Sequence, residues 1–351
     1  MSLLPTLEEQ IFRARAELRM GLVIRVGGWI AASVETLRPD RLAAMQALGP
    51  LVLAITARRA ETLKARAYDG DLARIEVPAG AGLDWMRAVA DPSTDLMTPM
   101  KGPFQTQRSG DCAPHLAAIL LAKSARLLPA MLMVHADEAG LPNLPPKAVI
   151  DTLAAEAVLH PVAAARLPLE SSETSRLHIF RPEDGGTEHY AVEIGTPKRE
   201  GTPLVRLHSA CFTGDVLGSL KCDCGPQLHA AMAAMGRAQE GVLLYLNQEG
   251  RGIGLANKMR AYGLQNQGFD TVEANHRLGF EDDERDFRIG AEILREMGFS
   301  TVRLMTNNPR KVAMLQSHGI DVIERVPLIL PANRFNRGYL ATKAEKSGHL
   351  L

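Results

Sequence analysis

The chain is poor in cysteine, with four in 351 residues. That scarcity excludes a disulfide-stapled secreted scaffold and fits a reducing compartment. Net charge is also absent, since 40 basic residues balance 40 acidic ones. No basic excess marks a nucleic-acid partner, and no long run of one sign marks a binding tail. The N-terminus, MSLLPTLEEQIF, has acidic residues early and no basic segment leading into an apolar one, so it does not read as a signal peptide. Long apolar runs are missing too. The most apolar stretch, HLAAILLAKSARLLPAMLMV, is broken by Lys123, Arg126 and Pro129, and reads as a buried helix followed by a strand. There is neither an internal repeat nor a low-complexity segment. What remains is an ordinary globular composition, 46 % hydrophobic and 23 % charged, in a chain long enough for two domains. These absences predict a cytoplasmic protein with no nucleic-acid and no membrane partner.

A boundary is expected near residues 160 to 175. There VIDTLAAEAVLHPVAAARL, read as Ala-rich helix, gives way to the polar run ESSETSR. Strand-like LHIFR, HYAVEIG and PLVRLHS follow, joined by the turn-rich PEDGG and PKREG. Before the boundary, TLEEQIFRARAELRMG has helical periodicity, LVIRV and LVLAIT read as strands, and RPDRLAAMQALG is a short helix with Gly49 past its end. After it, helices and strands alternate. CGPQLHAAMAAMGRAQEG is a helix ending at Gly241, VLLYLN a strand, and GLANKMRAYGLQNQG a helix behind a Gly-rich loop. FRIGAEILREMG is a helix, TVRLMT a strand, PRKVAMLQSHG a helix and IDVIERV a strand. This alternation predicts an α/β (α+β) architecture.

Three of the four cysteines crowd into HSACFTGDVLGSLKCDCG, as Cys211, Cys222 and Cys224. Three thiols without a fourth suit a catalytic zinc, which keeps one position open, better than a structural zinc with four ligands. The alternative is three core thiols, since free cysteine is often buried. The polar neighbours His208, Ser209, Asp215 and Asp223 argue against that. A disulfide between Cys222 and Cys224 would close a strained ring.

Four other runs are chemically suggestive, each with a plain structural alternative. NQEGRGIGLANK places Gly250, Gly252 and Gly254 before a helix, where backbone amides and Arg251 suit phosphate; it also suits a simple strand-to-helix turn. LGFEDDERDFRIG reads as a solvated helix start or as an acid–base site. LMTNNPRKV offers Arg310 and Lys311 at a helix start, or an ordinary Asn cap followed by Pro. RAYGLQNQGFDTVEANHRLG offers Tyr262, Gln265 and His276 as pocket or as helix surface.

Together these runs, in this order, resemble GTP cyclohydrolase II, the family that opens riboflavin biosynthesis. The resemblance covers roughly residues 165 to 351. It rests on RLHSAC, TGD, LKCDCG, QEGRGIGL, RAYGLQ, DTVEANHRLGF, DERDF, TNNPRKV and the tail ATKAEKSGHLL. It implies a C-terminal catalytic domain, 164–351, built on a mixed sheet with flanking helices. It also implies zinc on Cys211, Cys222 and Cys224, with an activated water in the open position. The substrate would be GTP with Mg²⁺ on its triphosphate, and the products formate, pyrophosphate and a diaminopyrimidinone bearing ribosylamino phosphate. By the same resemblance Asp283 handles protons, Arg285 acts at the α-phosphate, and Tyr262 lies near the scissile ring. Guanidinium is a poor nucleophile, so charge stabilisation is the physically sounder role for Arg285. Substrate contacts carry over to Arg206, His208, Ser209, Gln227, Glu249, Arg251, Thr271, Thr306 and Lys311. Glu249 suits the N1–H and 2-amino donors of guanine. A homodimer is implied as well.

Two positions depart from the family pattern. Ala210 stands where the family usually has glutamate beside the first thiol, and Leu246-Asn247 where it usually has a His-Arg pair. Residues 1–163 resemble, in layout only, a 3,4-dihydroxy-2-butanone 4-phosphate synthase as found in bifunctional relatives. The acidic Mg²⁺ loop of that synthase is replaced by GGWIAASVETL, and its Gly-His-Thr-Glu run by SGDCAPHLA. The expectation is a non-catalytic α+β domain. Cys112 and His115 read as a metal or redox pair, or as a buried thiol and imidazole near a helix start. Two rival readings of the whole chain are a paralogue acting on another nucleotide or base and a GTP-binding regulatory protein without turnover.

Overall fold

The computed structural model describes residues 3–136 and 140–338, with residues 345, 348 and 350. The tail ATKAEKSGHLL falls largely outside the described residues. In chain order the first elements are α1 (Leu7–Arg19), β1 (Ile24–Val26), β2 (Trp29–Ser33), α2 (Pro39–Leu48), β3 (Leu51–Thr56), α3 (Ala57–Leu63), β4 (Leu72–Glu76) and α4 (Leu83–Ala90). Then come α5 (Ala113–Ser124), β5 (Ala130–His135), β6 (Asn143–Leu144) and α6 (Pro146–Ala154). Strands β7 (Leu159–Arg166), β8 (Ser175–Pro182), β9 (His189–Gly195) and β10 (Leu204–Ser209) precede α7 (Cys224–Ala238) and β11 (Glu240–Leu246). The chain finishes with α8 (Leu255–Asn266), α9 (Thr271–Arg277), α10 (Arg288–Glu296), β12 (Thr301–Met305), α11 (Pro309–Ser317) and β13 (Asp321–Val326). Among the described residues no helix is long and apolar enough to cross a membrane.

The chain divides into two compact units. Met1–Ala155 with Ala256–Glu284 form the first, and Glu156–Leu255 with Arg285–Leu351 the second. The first unit is built on a six-stranded sheet in the order β4-β3-β5-β2-β1-β6, antiparallel except for the β1–β6 pair. Successive side chains of a strand point to opposite faces. Ile30, Ala32, Leu53, Ile55, Leu132 and Val134 accordingly enter one core, with Leu42 and Met45 of α2 and Met86 and Val89 of α4. Ala31, Ala54, Met131 and Met133 enter the other, against α1, α5 and α6. With both faces covered, β3 and β5 read as continuous apolar runs rather than alternating ones.

The segment Ala256–Glu284, carrying α8 and α9, packs within this first unit. Asn257, fully buried on α8, donates to the Arg126 carbonyl at 3.1 Å. Arg260 pairs with Asp91 and Glu35, each at 3.1 Å. Helix α9 starts in a capping box of Asp270 and Glu273 and packs on α3. A Cβ on Gly279, just past α9, would stand 2.8 Å from Thr56 Oγ1 and 2.9 Å from Pro129 Cγ, so glycine permits the close approach.

The second unit holds a seven-stranded mixed sheet in the order β13-β12-β10-β11-β9-β8-β7. Strands β10, β11, β12 and β13 run parallel, and β7, β8 and β9 add antiparallel. Val205, Leu207, Val242, Leu244, Val302 and Leu304 pack against Ile293 and Leu294 of α10 and Leu315 of α11. Leu204, Leu243 and Met305 face Ala231 and Met235 of α7 on the opposite side.

Two sequence-based expectations fail locally. The Ala-rich run expected as one helix stops at Ala154, and Leu159–Arg166 forms β7 instead. Pro161 cannot continue a helix, but an edge strand that bulges between Pro161 and Ala163 accommodates it, and the ladder with β8 overrides alanine propensity. Helix α7 ends at Ala238 with Gln239 left-handed, not at Gly241, which lies in β11. A Cβ on Gly241 would collide with the Met235 side chain, so this glycine serves helix-on-strand packing rather than a cap.

Candidate active site and metal centre

Strand order sets the position of the site. From β10 the chain crosses through α7 to β11 on one side, and β12 later returns to the other side of β10. Parallel sheets bind ligands in the crevice at the carboxyl ends of their strands where the winding direction reverses, here between β10 and β12. His208 and Ser209 close β10, and Thr306 follows β12 directly.

The three thiols gather at this end of the sheet. Cys211 follows β10, and the chain then makes a single π turn over Phe212–Val216. Cys222 precedes α7, and Cys224 is its first residue. Their sulfurs lie within 4.8 Å of one another, with Cys211 and Cys222 at 3.7 Å, and all are free thiols. A tetrahedral zinc with Zn–S bonds of about 2.3 Å would space its sulfurs by about 3.8 Å. The space between them is shaped by glycine: a Cβ on Gly214 would lie 2.8 Å from Cys222 Sγ and 3.1 Å from Cys211 Sγ. Hydrogen bonding to Cys211 and Cys222, together with burial, pushes the Cys224 thiol well above its ordinary pKa. Cys222 is likewise raised, chiefly by Cys211. Thiols that raise one another in this way need a cation to ionise together. Among the described residues, this is the group of thiol, imidazole or carboxylate side chains whose spacing suits one metal ion.

A polar relay braces the cluster. Asp215, at the π turn, accepts the Cys211 backbone N–H at 3.0 Å and the Tyr245 hydroxyl at 2.9 Å, and lies 3.1 Å from His208 Nε2. His208 stacks on Tyr245 with ring centroids 5.6 Å apart. Burial lowers the His208 pKa and outweighs the opposing pull of Asp215, so the imidazole is neutral near pH 7. Burial, then the charge of Asp215, pushes the Tyr245 hydroxyl up.

Cationic groups line the rest of this edge. Arg206 on β10 is buried and donates to Gln227 on α7, which in turn donates to Asp223 at 2.6 Å. Burial pulls the Arg206 pKa down to about 10, which leaves it charged at neutral pH. Arg285 donates to Ser209 Oγ at 3.2 Å. Lys311 on α11 donates to the Leu207 carbonyl at 3.0 Å. Arg285 and Lys311 both lie over the Phe287 ring, at 4.7 and 4.5 Å from its centroid. A phosphate-bearing ligand suits such a set of cations. Thr306 Oγ1 accepts the Asn308 N–H, and Asn308 caps α11 by accepting from Arg310, with Pro309 in the first turn.

In the Gly-rich loop after β11, Gly250 and Arg251 both adopt left-handed backbone. Glu249 accepts the Phe212 N–H at 2.5 Å, which ties this loop to the π turn beside Cys211. Ala210 and Asn247 each lie one residue past the adjoining strands β10 and β11, and Leu246 ends β11. Ala210 N–H donates to the Leu246 carbonyl, and Asn247 N–H donates to His189 at 3.0 Å.

The second unit carries Arg206, His208, Ser209, Cys211, Cys222, Cys224, Gln227, Glu249, Arg251, Arg285, Thr306 and Lys311. Tyr262, Thr271 and Asp283 belong to the first unit. There Lys258 lies 5.8 Å from the Tyr262 ring centroid, Gln265 donates to Thr271 Oγ1 at 3.1 Å, and Asp283 occupies the loop after α9. Sequence reasoning gave no role to Asp215, Tyr245 or Phe287. Asp215 lies in the TGD run and Phe287 in the DERDF run, so both carried a signal, whereas Tyr245 is a single aromatic in an apolar strand and carried none. Cys112 stands half-buried at the N-cap position of α5 without a side-chain capping bond, and His115 is wholly buried against Trp29 with ring centroids 4.5 Å apart.

Comparison with known proteins agrees with this geometry. Residues 160–327 match the family model described as GTP cyclohydrolase II. A GTP cyclohydrolase-2 from Azospirillum brasilense is 44 % identical over 359 residues, covering 97 % of this chain and 93 % of that protein. The riboflavin biosynthesis protein RibBA of Bacillus cereus is 54 % identical over 195 residues, covering 52 % of this chain and 49 % of that one. The similarity to the first relative runs through both units, at a level that places the chain as an enzyme of riboflavin biosynthesis in the GTP cyclohydrolase II family.

Proposed function

We propose that the protein is a zinc-dependent GTP cyclohydrolase II that converts GTP to formate, pyrophosphate and a diaminopyrimidinone bearing ribosylamino phosphate. The observation that carries this is the packing of three free thiols around Gly214, on the sheet edge where Arg206, Arg285 and Lys311 gather. Cys211, Cys222 and Cys224 would hold the zinc, whose Lewis acidity makes water nucleophilic near neutral pH. Asp215 orients Cys211 through its backbone amide, and His208 and Tyr245 hold Asp215 in turn.

Glu249 is read as the acceptor for the guanine N1–H and 2-amino donors. Arg251 and Lys311 serve the triphosphate with Mg²⁺, and Arg206 is a further substrate contact. Arg285, held by Ser209 and Phe287, stabilises charge at the α-phosphorus as pyrophosphate leaves. Asp283 moves protons on the opened imidazole ring, with Tyr262 beside it. His208, Ser209, Gln227, Thr271 and Thr306 complete the substrate contacts. We take 164–351 as the catalytic domain, acting as a cytoplasmic homodimer. Residues 1–163 are taken as a 3,4-dihydroxy-2-butanone 4-phosphate synthase-like domain without that activity.

The test is incubation of the purified protein with GTP and Mg²⁺, with formate and the pyrimidine product followed in parallel, with and without a zinc chelator. Chelator-sensitive formate in step with product is expected. Zinc-loaded protein that binds GTP and releases no formate would replace this reading with a regulatory one.

A further inference from the structure

The loop that carries Asp283 is fixed by side chains of the first unit that belong to no motif. Lys123, on the last turn of α5, forms an ion pair with Glu284 at 2.6 Å, with both side chains mostly shielded from water. Glu284 also accepts the backbone N–H of Glu281 at 2.9 Å, which closes the loop on itself. Arg58, on α3, clasps Glu281 through both carboxylate oxygens, at 2.9 to 3.2 Å. The Lys123 ammonium lies 5.9 Å from the centroid of Phe280, one residue before this loop.

Shielding decides which of these matters more. Arg58 and Glu281 are about half exposed, and such pairs contribute little in water. Lys123 and Glu284 are 18 % and 22 % exposed, so their attraction is less screened. Glu284 is flanked in the chain by Asp283 and Arg285, so fixing it constrains the backbone on both sides. Small errors in the placement of reacting groups cost rate rather than affinity.

We propose that Lys123 is a positioning residue for the cyclohydrolase reaction: by holding Glu284 it sets the course of the chain through Asp283 and Arg285. The first unit then contributes to turnover without chemistry of its own. This rests on the function proposed above for Asp283 and Arg285.

The test compares the full-length, zinc-loaded wild type with Lys123→Met, Lys123→Arg and Glu284→Gln. It reads kcat and KM for GTP, zinc content, melting temperature and hydrogen exchange of amides 281–285. Lys123→Met is expected to lower kcat about tenfold, with KM, zinc and melting temperature unchanged and exchange of the loop amides faster. Glu284→Gln should lower kcat in the same direction, while Lys123→Arg keeps it within about twofold, because the cation is retained. Wild-type kcat in Lys123→Met would overturn the proposal, as would a loss that tracks zinc content or melting temperature. If the wild type itself releases no formate, the functional reading fails first and takes this one with it.

Discussion

His115 shows how a single residue can carry a pH dependence. It is wholly buried, neither ring nitrogen has a hydrogen-bond partner among the described residues, and Trp29 meets it edge-on. Burial first, and the Arg74 cation second, push its pKa down to about 4. The unfolded chain takes up this proton near pH 6.5, whereas the folded chain refuses it until about pH 4. Folding stability should therefore fall as pH drops through that window, by about 3 kcal/mol in all. An NMR titration should place the His115 midpoint near 4, and His115→Leu should flatten the stability profile between pH 6.5 and 4; a midpoint near 6.5 would refute this. At this scale the sequence was legible where spacing carries chemistry. Cys211, Cys222 and Cys224 announce a shared centre because thiols are scarce and clustered. Tyr245 was not legible, because an aromatic within an apolar strand looks the same whether it packs or hydrogen-bonds a carboxylate.

Among the elements, the π turn at Phe212–Val216 and the first turn of α7 form the jaws of the thiol cluster, and glycine sets their separation. Gly225 would drive a Cβ into the Gly214 carbonyl, and Gly214 would drive one toward Cys222 Sγ at 2.8 Å. Gly214→Ala must spread the sulfurs or shift the turn. It should weaken zinc binding at least about tenfold in a competitive chelator titration, with the far-UV spectrum unchanged. Wild-type zinc affinity in that variant would show that the jaws have slack. Helices and parallel strands after residue 200 were readable because their periods differ and glycines punctuate them. Strand β7 was not, since Ala163, Ala164 and Ala165 favour helix locally and only the partner strand β8 makes them a ladder. Gly241 misled for a related reason: a glycine needed for close packing looks, in sequence, like one needed to end a helix.

For the whole molecule, division into units does not follow chain order. Ala256–Glu284 belongs with Met1–Ala155, so the chain leaves the second unit after Leu255 and rejoins it at Arg285. The first crossing falls at Ala155 and Glu156, a few residues before the composition change expected near residues 160 to 175. Nothing in composition marks the other two, because the packing partners of α8 and α9 lie far back in the sequence. The division predicts that amides of α8 and α9 exchange with the cooperativity of the first sheet. Under native-state hydrogen exchange with increasing denaturant, their protection should converge with that of β3 and β5 rather than β10 and β11. Convergence with β10 and β11 would refute the assignment.

The excursion of the chain also bears on how such a gene can change. A copy trimmed to codons 164–351 would still encode Tyr262, Thr271 and Asp283. It would lack Thr56 and Pro129, against which Gly279 is fitted, and the Arg126 carbonyl that receives Asn257. Substitutions in the first half that spare these contacts should therefore be tolerated, while its deletion should not. Selection would then preserve the packing surface of the first half for the sake of the helices that fold back onto it.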